Sequence, residues 1–66
     1  MKERQKRFLI ENMDTIQQII ENELINEFYA DPTKYNDDYN EYDYINDCYK
    51  AKYNELLKSG EIYNLV

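Results

Sequence analysis

The chain has no histidine and no tryptophan, and only one cysteine, one glycine and one proline. Each shortage removes a class of protein. Without histidine, the lone thiol of Cys48 cannot complete a four-ligand zinc site, nor does it have an imidazole to activate it as a nucleophile. A single cysteine also excludes a disulfide within the chain and fits a reducing compartment. A calcium loop needs a glycine at its sharp turn, and residues 37–48 contain none, although Asp37, Asp38, Glu41, Asp43 and Asp47 offer hard oxygen ligands. No apolar run approaches the ~18 residues of a membrane span. The basic start MKERQKR is followed by only FLI before Glu11, too little for a signal peptide. The expectation is a soluble, cytoplasmic protein with no metal and no cofactor.

Basic charge is scarce as well. Fourteen carboxylates face eight Lys and Arg, for a net charge of −6. The imbalance is also uneven. Residues 1–7 carry Lys2, Arg4, Lys6 and Arg7 against Glu3, a balance of +3, while residues 11–47 carry eleven carboxylates against Lys34, a balance of −10. Phosphates are gripped by Lys and Arg, so the body of the protein is not built to hold nucleic acid directly. Its field favours a partner with a basic surface.

With 66 residues the chain forms one domain, residues 1–66, and a chain so short buries only about 60% of the surface its unfolded form exposes. Lacking disulfide or metal, it must rely on good helix packing or on association.

Residues 2–29 contain neither Gly nor Pro. Leu9, Met13, Ile16, Ile20 and Leu24 recur at spacings of four, three, four and four, the signature of one helical stripe. Phe8 and Ile19 lie to one side of that stripe, Ile10 and Phe28 to the other, and Ile25 nearly opposite. A helix apolar over so much of its circumference asks for more than one neighbour. The candidates are a second helix, the C-terminal tail and another protein, and a homodimer is one form of the last. Asp14 with Gln17, preceded by Met13, has the pattern of a capping box. That pattern offers a break near Asn12–Asp14, but the stripe keeps its phase through this point, so one long helix is expected, with two helices meeting at Asp14 as the alternative. The basic residues 1–7 are expected to fray or to extend past the body.

Pro32 ends the first helix, because its ring crowds the residue before it out of helical geometry. Residues 31–37 then read as the connection of an antiparallel helical hairpin, with Asn36, Asp37 or Asp38 as the next N-cap. Residues 38–58 read as the second helix. Tyr42, Ile45, Tyr49, Tyr53 and Leu56, joined by Tyr39, Cys48 and Leu57, form its apolar face, and Asp43, Asp47, Lys50 and Asn54 the opposite one. Tyr44 falls outside the apolar stripe and Glu41 near its edge. Ser59-Gly60 is a helix stop. Four of the six residues in the tail Glu61–Val66 are apolar, so the tail is expected to fold back on the hairpin or to dock on something else. The fold class is all-α.

The densest stretch is Asp37–Tyr53, with five tyrosines and five carboxylates. A catalytic carboxylate pair needs a cleft that separates two pKa values, and two short helices leave little room for one. No enzyme is expected. What remains is a surface: carboxylates spaced along a helix, with tyrosines supplying rigid contact area and hydroxyls suited to a wet interface. A partner's arginine can pair with Asp43 or Asp47 and stack on Tyr44 or Tyr39. The candidate partner-binding residues are Asp37, Asp38, Tyr39, Glu41, Asp43, Tyr44 and Asp47, and the expected partner is a protein with a basic, nucleic-acid-binding groove. In size, charge and tyrosine content the chain is similar to small inhibitors made by phages and mobile elements, anti-CRISPR and uracil-glycosylase inhibitor proteins among them. The similarity is one of composition, so no residue role carries over. Two other readings stand beside an inhibitor: a self-assembling structural module, and a small transcriptional regulator that places residues 2–11 on DNA.

Overall fold

The computed structural model describes residues 2–66. Three α-helices follow one another, α1 (Glu3–Glu11), α2 (Met13–Ala30) and α3 (Glu41–Ser59), with short 3-10 turns at Pro32–Lys34 and Glu61–Asn64. There is no strand among the described residues. α2 and α3 form the expected hairpin, and the second 3-10 turn packs against it.

The first helix is not the one long helix expected: it breaks at Asn12, within the Asn12–Asp14 stretch that offered a break, and not through a cap at Asp14. Asn12 adopts φ −111° and ψ 15°. Its side chain donates to the Phe8 carbonyl oxygen at 2.9 Å, which also accepts from the Asn12 backbone at 3.0 Å. Both donors of one residue thus converge on one carbonyl and pull Asn12 away from helical ψ. The Ile16 N–H still reaches the Asn12 carbonyl at 2.9 Å, so the joint is shallow. Asp14 is an ordinary first-turn residue of α2 and makes no cap. The 28 residues from Glu3 to Ala30, the Asn12 joint included, would span about 42 Å as one straight helix, and the long axis of the molecule is 44 Å. Residues 3–7, expected to fray, belong to α1; Met1 lies outside the described residues.

The second helix starts later than its sequence suggests. Asp37 and Asp38 sit in a turn closed by the Tyr39 N–H on the Asn36 carbonyl at 3.0 Å. Asn40 is the N-cap. Its Oδ1 accepts from the Asp43 N–H at 3.0 Å, and Asp43 Oδ2 accepts from the Asn40 N–H at 3.2 Å, a reciprocal capping box. Asn36 and Asp37 have no acidic residue three positions on; Asp38 has Glu41 there, but it is the Asn40–Asp43 pair that closes the reciprocal bonds.

Gly60 ends α3 with φ 86°, its N–H donating to the Leu56 and Leu57 carbonyls. That left-handed residue, the conformation glycine adopts at least cost, turns the chain back and brings the tail home. Ile62 is fully buried with Ile16, Ile20, Leu24 and Leu56. Tyr63 meets Phe8 edge to face at 5.6 Å between ring centres, which ties the tail to α1 as well. Beside α3, the tail is therefore a second neighbour for the broad apolar surface of the first helix.

Candidate partner-binding surface

The loop between α2 and α3 is held by rings. Phe28 stacks on Tyr35 at 4.8 Å and lies within 5.7 Å of Tyr44 and 6.2 Å of Tyr39, while Tyr35 stacks on Tyr39 at 5.6 Å. Such pairs add to simple area burial. They anchor a segment of acidic and polar residues that has little else apolar to offer.

Tyr44, expected off the core face, turns inward to this cluster, and Tyr42, expected on it, is 71% exposed. The physical reason is Lys52. It lies on the inner side of α3, with Glu27 at 3.3 Å and Glu23 at 3.7 Å across the hairpin. Its apolar stem covers core surface while its ammonium reaches the rim. Residues one and two turns before it, Cys48 and Tyr44, are carried to the same side. A lysine on the inner face carried no apolar signal, and the face predicted without it was rotated away from Tyr44 and toward Tyr42. Hydrogen bonding to the Glu27 carboxylate raises the Lys52 pKa, against the desolvation that lowers it.

Among the seven candidate residues, Asp43 and Asp47 lie one turn apart on the outer side of α3, and Asp37 and Asp38 in the turn before it; all four are exposed. None of the four pairs with a cation among the described residues. Tyr39 is half-buried and donates from its hydroxyl to Asp47 Oδ2 at 2.6 Å, which joins the loop to the acidic side of the helix. Glu41 is set apart. It faces Tyr29 at the end of α2, whose pKa rises through hydrogen bonding to it. Tyr44 is half-buried, with its hydroxyl 3.4 Å from Glu27 Oε2. Asp43, Asp47 and Tyr39 thus make one surface, Asp37 and Asp38 are exposed in the turn before it, and Glu41 and Tyr44 belong to the seam between the helices. The chain matches no family model, no curated protein and no solved structure.

The tyrosine–carboxylate contacts have a spectroscopic consequence. The bond to Asp47 pushes Tyr39 up to about 12, with desolvation and nearby negative charge adding to it. Tyr44 is also raised, first by burial, then by hydrogen bonding with Tyr35. In both, the fold favours the neutral phenol. The contribution of such a contact is complete below the ordinary phenol pKa of about 10 and is lost as pH rises through the folded-state value. An ultraviolet titration is expected to show phenols ionising late. Asp47→Asn should bring Tyr39 back toward the ordinary range and leave Tyr44 where it is. An unchanged titration curve in that variant would mean the Tyr39–Asp47 bond does not form in solution.

No helix among the described residues is long and apolar enough to cross a membrane, and no group of three or more potential metal ligands is found among them.

Proposed function

We propose that this chain is a small acidic binding protein that occupies the basic, nucleic-acid-binding surface of a larger protein and blocks it, as a DNA mimic does. The observation that carries this reading is four exposed aspartates without cationic partners among the described residues, Asp43 and Asp47 on the outer side of α3 and Asp37 and Asp38 in the turn that leads into it. Asp43 and Asp47 are about 6 Å apart along the helix axis, the same order as the phosphate spacing of a nucleic-acid strand. The capping box and the Tyr39 bond fix the orientation of two of these carboxylates before any partner arrives. Less ordering is then required on binding. Each of those carboxylates still has a free oxygen or lone pair for an arginine. The net charge of −6 steers a cationic surface toward the molecule.

Capture from native cells is the direct test. It is expected to retain a partner with a basic groove, to lose it as salt rises, and to lose it to competing duplex DNA. Reversing Asp37, Asp38 and Asp47 together to lysine is expected to weaken that association roughly a hundredfold. Asp43 is kept, because its side chain also closes the cap of α3. Retention of full affinity by the triple variant, with its helix content intact by circular dichroism, would sink the proposal.

A further inference from the structure

A second surface, away from the four aspartates, is self-complementary in charge. A trough between α2 and α3 is lined by Asp14, Gln17, Glu21, Ile25, Tyr42 and Ile45, with a volume of about 460 Å³, and it continues past Tyr49 along the same wall. Its α2 wall runs on toward the N-terminus as an exposed stripe. Lys6, Ile10, Met13, Gln17 and Glu21 follow at spacings of four, three, four and four, the spacing of one helical face carried across the Asn12 joint, with the first four exposed and Glu21 half-buried. Ile10 is 65% exposed and Met13 62%. The stripe starts with a cation, has its apolar side chains near the middle and ends with an anion.

We propose that this stripe and trough bind a second copy of the chain, antiparallel, about a two-fold axis near Met13. That axis brings residues together whose numbers sum to about 27. Lys6 of each copy then meets Glu21 of the other, Ile10 meets Gln17, and the two Met13 side chains meet at the centre. Each contact occurs twice, as an isologous interface requires. The parallel arrangement would set Lys6 against Lys6 and Glu21 against Glu21, and is disfavoured for that reason. The same axis lays the basic α1 of one copy over the acidic trough of the other and covers its Ile25, Tyr42 and Ile45. Asp43 and Asp47 on the outer side of α3 stay uncovered, so the dimer is bivalent for a cationic partner.

The test is the oligomeric state by sedimentation equilibrium, in low and high salt. Wild type is expected to dimerise reversibly, more weakly as salt rises. Lys6→Glu and Glu21→Lys should each raise the dimer dissociation constant by about tenfold or more, since either change converts two attractive pairs to repulsive ones. The variant carrying both should recover the wild-type value. In a Cys48→Ser background, Met13→Cys should form a cross-linked dimer on mild oxidation. A wild type that stays monomeric at millimolar concentration overturns the proposal, as does a double variant that fails to recover. Neither outcome touches the four aspartates, whose role is read separately from partner affinity in the Asp37, Asp38 and Asp47 variant.

Discussion

Replacing Ile62 with alanine is expected to lower the unfolding free energy by about 2–5 kcal/mol. Ile62 is fully buried, and it enters the core from a four-residue turn at the very end of the chain. Its neighbours in the core are Ile16, Ile20, Leu24 and Leu56, so a truncated side chain leaves a cavity that two helices and the tail would have to close at once. A domain of this length holds only about 3–10 kcal/mol in total. The substitution therefore removes a large share of it. In a urea titration the midpoint should fall with the slope unchanged. A change under about 0.5 kcal/mol, the size of an ordinary surface substitution, would mean that the tail is not part of the core. Val66 makes a useful control, because it is 59% exposed and its truncation should cost little.

The tail also marks how far a sequence reading reaches. Its apolar composition said that it packs somewhere, and Gly60 said that the helix stops. The destination follows from the left-handed geometry of Gly60 together with the length of α3, and neither is a local property of the last six residues. The core stripe of the first helix shows the same boundary. Ile16, Ile20 and Leu24 were legible because four-residue spacing is a strong helical signal. Steps of four residues advance the stripe by about 40° each, so the buried face wraps around the helix. It arrives at Phe28, which is buried, and leaves behind Met13, which is not. A straight stripe on a helical wheel places Met13 inside and Phe28 to one side. The neighbours decide between them: α3 lies along α2, while α1 packs chiefly against α2 and the tail. On α3 the residue missing from the expected inner face is Lys52. Its charge hid an inward position, and the faces of Tyr42 and Tyr44 were exchanged as a result. The acidic candidates were legible as exposed groups. Their division into an outer set and a seam set was not, because it depends on where α3 begins. The sequence offered several capping side chains in a row, and the reciprocal bond between Asn40 and Asp43 decided among them.

Phe28→Ala is expected to be as damaging as any substitution in the core, at about 3–5 kcal/mol, and to act on the candidate surface without touching it. Phe28 is 8% exposed and is the ring shared by Tyr29, Tyr35, Tyr39 and Tyr44. Without it, Tyr35 and Tyr39 lose the platform that holds residues 31–40, and with it goes the turn that carries Asp37 and Asp38. The tyrosine signal in near-ultraviolet circular dichroism should fall sharply while much of the helical signal persists at low temperature. Partner affinity, measured where the variant is still folded, should fall as well, because the loop would have to be ordered again on binding. Phe28→Leu fills most of the space without the stacking geometry and should lie between the two in both measurements. The two readouts separate cause from consequence. A Phe28→Ala protein that loses stability but binds its partner with wild-type affinity would place the binding surface on Asp43 and Asp47 of α3 alone, and would remove the loop aspartates from it.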